Sequence, residues 1–475
     1  MRINRAALPL EWLNHFLYSP RFFLFLGALT VLSNVFCMEI IAYPILILTG
    51  VCICLFGRDL LPIFPIFACG YISPSKGNNP GFNNESVFSL SGGGIYLAIL
   101  LAMLVASMIY RLVKDPDFGG KKFLHKKRML LPGMMVLGIT YAISGVTSGQ
   151  WAEYGLRNLL FSFVQVVAIA GLYYLLSGAV LWEKAPRDYL AWTGVCVGYV
   201  LLFEMINIYA AEGTLINGTI DRKAIVTGWG HYNSIGALLT VIIPLPFLLT
   251  SKKYAGFAYL TAVVFYIMLL FTCSRGSILV GTVIFGFSYI LSLIHSSHAR
   301  RQYWIHIGLI SAGVIGVTAG VIIFQDKLLE LFSSLKNVGF SSPERMETYH
   351  AGINQFLKYP VFGGSFFPVD FWPYAWATAD TFATLFPPRW HNTFIQLLAT
   401  GGVVCLAGYL IHRFQTVKLF LKNCTTEKLI AGMSVLALLM VSMVDCHFFN
   451  VGPVLLYSGI LAIVEFQMNE PKKKK

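Results

Sequence analysis

Residues 254–295 read YAGFAYLTAVVFYIMLLFTCSRGSILVGTVIFGFSYILSLIH. They hold two apolar runs, 254–273 and 277–296, each about as long as a helix must be to cross the hydrocarbon core of a bilayer. Between them lies Ser274-Arg275-Gly276, and Arg275 is the one charged residue of the stretch with His295 counted neutral. Two membrane helices joined by a short polar turn account for this pattern. Working outward, the same reading repeats along the chain. About fourteen apolar segments are legible, near 22–37, 40–56, 59–73, 92–113, 129–147, 157–182, 188–209, 231–250, 254–273, 277–296, 303–324, 391–412, 429–446 and 451–467.

Composition agrees. The 475 residues are 56% hydrophobic and 12% charged, against about 25% charged in a soluble domain. The expected fold is all-α: a polytopic integral membrane helical bundle of about 12–14 transmembrane helices, forming a single domain over 1–475. The net charge of +13 comes from short basic runs between apolar segments, not from one basic stripe, so nucleic acid is not an expected partner. Nine cysteines, an odd number without a CxxC pair, suggest neither a disulfide framework nor a zinc ribbon. No small-residue cleavage site follows the first apolar segment, which reads as a retained helix.

Charge sets the orientation. With the N-terminus inside, the inner loops receive Arg58, Lys121–Arg128, Lys184, Arg187, Lys252, Lys253, Arg300, Arg301, Arg413, Lys418, Lys422 and the tail Lys472–Lys475. Omitting the doubtful segment 59–73 would carry Lys121–Arg128 outside, against the positive-inside rule, so it is retained. The long loop 325–390 then faces out, rich in Phe366, Phe367, Phe371, Trp372, Tyr374, Trp376 and Trp390. Within it, Ser342-Pro343-Glu344 has the form of an N-cap, a first-turn proline and a first-turn acid. Met346, Tyr349, Ile353 and Phe356 follow at helical spacing, and Pro360 with Gly363-Gly364 ends the run. The spacing predicts an amphipathic helix on the outer mouth of the bundle.

In this topology the polar residues converge on the outer end. Glu153 and Arg157, Trp229 with His231 and Asn233, Ser274-Arg275, Glu344-Arg345, Arg389 with His391-Asn392, and Asp445 with His447 all fall there. Ionisable groups at membrane depth are costly and mark functional candidates, although arginines at helix ends also snorkel to headgroups. Arg275 stands out because the outer face is otherwise poor in Arg and Lys; its fork suits a phosphate. His391 is the best general-base candidate, since imidazole titrates near neutral pH, and Asp445 could orient it. A zinc site from His231, His391, Asp445 and His447 lacks HxxxH or HExxH spacing, so no metal is expected. Asp115-Pro116-Asp117 lies in the basic inner loop and reads as a turn.

Three ordered runs carry a resemblance: Thr272-Cys273-Ser274-Arg275-Gly276; Glu344-Arg345 with Tyr349, Ile353, Tyr359-Pro360 and Gly363; and His391 to Leu398 with Gly401-Gly402. Their order, spacing and intervening outer loop resemble the bacterial O-antigen ligase and polymerase superfamily over roughly 225–450. Departures are Gly363-Gly364 in place of Gly-x-Gly and the lack of an acid near Thr400, which excludes an essential role for that acid here. The resemblance implies an inverting glycosyl transfer at the outer face of the bacterial inner membrane, without metal or cofactor. The donor would be a glycan on undecaprenyl diphosphate, and the acceptor a hydroxyl of a glycan or lipid. It implies that Arg275 and Arg345 hold the diphosphate with Arg157 as a weaker third, that His391 takes the acceptor proton, and that Asp445 sets its tautomer. Ser274, Glu344 and Asn392 would support them. A flippase and a chain-length regulator are the implied functional partners. The alternative from another class, a secondary transporter or lipid-linked glycan flippase, would place its charges near the bilayer midplane or through a spanning cavity.

Cysteines placed singly on a cysteine-free background test the topology. Membrane-impermeant reagent on intact cells should label residues in 325–390 and spare position 126; the reverse pattern would overturn it.

Overall fold

The computed structural model describes residues 7–36, 38–70, 94–115, 121–148, 151–211, 213, 222–227, 230–251, 254–296, 308, 343–366 and 389–469. The segment expected at 303–324, apart from Gly308, lies outside these residues. So do 325–342 and 367–388 of the long loop, Trp229, Lys252, Lys253, Arg300, Arg301 and the lysine tail. Side chains of Glu153, Arg157 and Glu344 are likewise not described.

The architecture is all-α. Among the described residues strand pairing is confined to a two-residue ribbon, Val226–Thr227 with Gly230–His231. Five helices are long and apolar enough to cross a membrane: Asn158–Ala179, Tyr189–Ala211, Tyr232–Leu249, Arg275–His295 and Thr393–Leu421. The pair Glu11–Leu17 and Pro20–Ser33, bent by 68°, makes a sixth if counted as one span. Shorter apolar helices, Ile41–Phe56, Leu131–Ala142, Ala255–Phe271 and Gly452–Met468, complete the bundle. Many apolar side chains on these helices are exposed, among them Phe163, Leu279, Phe287 and Phe414, as expected where lipid is the solvent.

The basic loops meet at one end. Arg58 donates through Nη2 to the Lys184 carbonyl at 3.1 Å, and Arg111 donates to the Arg58 carbonyl at 2.8 Å. Arg187 pairs with Glu427 at 3.7 Å, and Gln467 donates to the Ala185 carbonyl at 2.9 Å. Segment 59–73 appears as the eight-residue helix Ile63–Gly70, which is about 12 Å long and cannot span alone. It does leave the basic end, and the helix Gly94–Lys114 returns to it at Arg111. Arg58 and Arg111 thus lie at the same end of the bundle. Asp115, just past the helix Gly94–Lys114, is engaged by Arg111 at 2.7 Å, and the expected turn at Pro116-Asp117 lies outside the described residues.

One expectation fails at Arg413 and Lys418. The histidine helix Thr393–Leu421 continues through both, so neither is in a loop. Arg413 is buried with its guanidinium over the rings of Tyr409, Phe448 and Tyr457, 4.3 to 5.1 Å from their centroids, and it donates to the Tyr457 hydroxyl at 3.0 Å. Aromatic faces and phenol oxygens thus solvate this cation at membrane depth.

The same helix is broken toward the end remote from the basic loops. Gly402 has φ 64° and ψ −161°, and the Phe394 and Tyr409 rings lie 5.8 Å apart. Fifteen residues of straight helix would separate them by about 22 Å, so the chain turns sharply. Backbone groups freed by a break cannot be left bare at membrane depth. The irregular segment after the loop helix (Pro343–Lys358) supplies partners. Gly364 and Ser365 donate to the carbonyls of Ala399 and Thr400 (both 2.9 Å), while Val403 and Val404 donate to those of Pro360 and Val361 (2.9 and 3.2 Å). Ser144 donates to the Thr400 carbonyl as well. Both crossing points are glycines at positive φ: Gly363 (66°) against Thr400, and Gly402 against the Val361 carbonyl.

A Cβ at Gly363 or Gly402 would fall 2.2 and 2.4 Å from backbone atoms across this crossing. Gly363→Ala or Gly402→Ala should therefore cost more than about 2 kcal/mol, from overlap plus left-handed strain. Thermal unfolding of the detergent-purified variants checks this; a wild-type melting point for either would contradict the account of the break.

Candidate active site

The site forms at the end opposite the basic loops, around the turn 442–447 that follows the helix Thr426–Val441. This turn joins what the chain keeps apart. Thr393 donates its backbone N–H to the Ser442 carbonyl at 2.9 Å. Asn392 caps the histidine helix, its Oδ1 accepting from the N–H groups of Phe394 and Ile395 at 2.9 and 3.2 Å, and its Nδ2 donates to the Met443 carbonyl at 2.8 Å. One side chain therefore starts the helix and fixes it to the turn.

His391 precedes this cap with φ 51°, a conformation uncommon for a residue with a side chain. Neighbours on both sides hold it there. The buried Trp390 donates its N–H to Gln396 Oε1 at 3.0 Å, and Tyr349 of the loop helix donates its hydroxyl to the His391 carbonyl at 3.2 Å. The strained backbone aims the ring at Asp445, with Nδ1 to Oδ1 at 3.3 Å. Asp445 is buried, and its Oδ1 also accepts the N–H of Cys446 at 2.7 Å. Burial opposes ionisation of Asp445. The His391 bond and the nearby His447 and Arg389 outweigh it and hold the carboxyl well below the usual carboxylate range. A charged carboxylate accepts, so Nδ1 of His391 carries the proton and Nε2 is the basic nitrogen.

Three histidines gather here, and their partners separate them. His231 caps the helix Tyr232–Ile242, its Nδ1 accepting from the Asn233 N–H at 3.3 Å. His447 is fully enclosed, takes the Asn450 amide on Nδ1 at 3.2 Å, and is lowered to about 4 by burial. His391 is the one of the three bonded to the carboxylate, and 38% of its side chain is accessible. Among the described residues no group of three His, Cys, Asp or Glu side chains is arranged to hold a metal ion.

Two arginine-bearing segments meet the same turn from different elements. The loop helix, Pro343–Lys358, begins as the Ser342-Pro343-Glu344 pattern predicts. Its packed face differs in part: Tyr349 and Phe356 are half-buried, while Met346 and Ile353 are 40% and 46% exposed. The cause is Gly352, which seats the helix directly against Trp390 and Ile395 and rotates the contact face toward Arg345, Tyr349 and Phe356. Arg345, one turn before Tyr349, donates Nη1 to the Val444 carbonyl at 3.4 Å. Arg275 opens the helix Arg275–His295 after the left-handed Cys273 (φ 49°). Its neighbour Gly276 packs on Val444, where a Cβ would come within 2.5 Å of the side chain. Val444 thus links both arginine segments, one residue from Asp445.

Ser274 ties this corner down by donating its hydroxyl to Asn233 Oδ1 at 2.9 Å and sharing a hydrogen bond with the Ser277 hydroxyl at 3.1 Å, so it bridges helices instead of capping its own. Arg157 lies on the helix Trp151–Val166. Its neighbour Asn158, not singled out by sequence, is fully buried and accepts from Ser365 Oγ and the Phe366 N–H at 3.3 and 3.2 Å. It also donates to the Tyr141 and Ser144 carbonyls, joining that helix to the broken segment. An amide within an apolar helix next to Arg157 was the available signal.

Residues 260–410 match the family model of the O-antigen ligases. No curated protein matches the chain. The match supports the O-antigen ligase and polymerase superfamily and points to a glycosyltransferase-type enzyme. It contains Arg275, Arg345 and His391 and ends before Asp445, whose place in the site rests on geometry.

Proposed function

We propose that this chain transfers a glycan from undecaprenyl diphosphate to an acceptor hydroxyl, with inversion, at the extracytoplasmic face of the bacterial inner membrane. The observation that carries the reading is the accessible His391 held on a buried, charged Asp445 in the turn to which Arg345 donates. The acceptor oxygen attacks C1 of the donor sugar while its proton passes to Nε2 of His391. The bond from C1 to the diphosphate oxygen breaks, and its electron pair leaves with the lipid diphosphate. Asp445 stabilises the imidazolium that forms. Arg275 and Arg345, with Arg157 as a third, hold the diphosphate and offset the charge that develops on it. Glu344 opens the loop helix beside Arg345, and Ser274 and Asn392 position the two helix starts. A ligase acting on a lipid acceptor and a polymerase acting on a growing glycan share this chemistry.

Two sets of variants test the roles, using purified lipid-diphosphate glycan, acceptor and a chelator. His391→Ala should lose about a hundred- to ten-thousand-fold in rate with donor binding retained. Asp445→Asn should lower the rate less, since it leaves the base in place but poorly oriented. Undiminished turnover by His391→Ala removes the base from the scheme.

Arg275→Lys keeps the charge and loses the two-pronged fork. Transfer should fall by tenfold or more, on the order of a lost charge-assisted bond, at unchanged expression. Wild-type transfer by this variant would make Arg275 a headgroup anchor.

A further inference from the structure

A cavity lies at the other end of the bundle, among the basic loops. It encloses about 1060 Å³, and its walls include Lys127, Arg128, Lys418 and Lys422 against a single acid, Glu465. That acid is already used: it accepts the Met129 N–H at 2.6 Å and the Tyr173 hydroxyl at 2.8 Å. Arg128 is fixed as a buried charge, donating to Ser177 Oγ at 2.6 Å and to the Phe123 and Lys126 carbonyls, with Tyr174 stacked 4.1 Å away. The three lysines are exposed. The cavity is therefore built for an anion.

The arrangement along the histidine helix says which kind. Leu410, Phe414, Lys418 and Lys422 recur every four residues and so lie along one face, in the order apolar, apolar, cationic, cationic. All four face the cavity, and Leu410 and Phe414 are 51% and 70% exposed. A small inorganic anion would use only the lysine end of this ladder. An amphiphile uses all of it, with its chain on Leu410 and Phe414 at membrane depth and its phosphate between Lys418, Lys422 and Lys127. The rim is anchored, since the fully buried Lys428 donates to the Lys422 carbonyl and, at 3.1 Å, to Asn469 Oδ1.

We propose that this cavity is a binding site for an anionic phospholipid of the leaflet at the basic end, separate from the His391 site and independent of the reaction assigned to it. The cations at the mouth contribute additively to attraction for an anionic headgroup, and the lysine stems cover the upper acyl chain.

The test is native mass spectrometry of the full-length, detergent-purified chain titrated with dioleoyl phosphatidylglycerol, dioleoyl phosphatidylcholine and inorganic phosphate. One phosphatidylglycerol should be retained at least tenfold more tightly than phosphatidylcholine, which has the same chains on a neutral headgroup. Replacing both lysines in Lys418→Gln/Lys422→Gln should weaken it roughly thirtyfold, about fivefold for each lost cation. Lys418→Arg/Lys422→Arg, which keeps the charge and controls for folding, should retain it. Equal retention of the two lipids overturns the proposal, as does wild-type affinity in the glutamine variant. Displacement of the lipid by millimolar phosphate would make the cavity a free-anion site and would also overturn it.

Discussion

Inside a bilayer a backbone N–H or C=O has no water to turn to, and this constraint shapes the half of the protein remote from the basic loops. The histidine helix has to break at Gly402 for its first turns to run beside the turn 442–447. The break is possible because residues 360–366 lie against it and supply hydrogen-bonding partners. Those residues follow directly from the loop helix, so satisfying the break also docks that helix. Gly363 and Gly402 allow the two backbones to cross, and Asn158 and Ser144 close the remaining carbonyls and N–H groups from the neighbouring helices.

With that corner in place, electrostatics separates three similar histidines into different roles. Asp445 is the one carboxylate among them, and it is bonded to His391 while His231 and His447 spend their Nδ1 atoms on neutral donors. Arginine is also used in two ways: Arg345 reaches the turn 442–447 from a helix surface, whereas Arg413 is enclosed by Tyr409, Phe448 and Tyr457 beneath it. Phe448 sits three residues after Asp445, so the buried cation helps fix the base of the turn that carries the carboxylate. A desolvated cation on an aromatic face is worth about 2 kcal/mol, enough to matter for the position of a short turn.

Much of this was legible in the residues alone. Hydropathy identified the helices, and Pro343-Glu344 marked the start of the loop helix because capping chemistry is local. His391, Asp445, Arg275 and Arg345 stood out because ionisable groups are rare in an apolar chain. Legibility ended where a feature depends on distant packing. Gly401-Gly402 in an apolar run reads as ordinary helix, since what breaks it is a segment some 40 residues earlier. The loop helix was rotated in part because Gly352 contributes nothing to an apolar pattern yet allows the closest approach. Arg413 was assigned to a loop because hydropathy falls there, although its charge is absorbed by aromatic rings that only the fold assembles.

The proposed reaction is a single displacement on a lipid-diphosphate glycan. Its most direct measurement is the anomeric configuration of the new linkage, determined by NMR on product made in proteoliposomes containing only this chain, with the released lipid counted alongside. A single displacement assisted by His391 predicts inversion at the transferred carbon and one undecaprenyl diphosphate released per linkage. Retention of configuration, or a requirement for a nucleotide sugar, would contradict it.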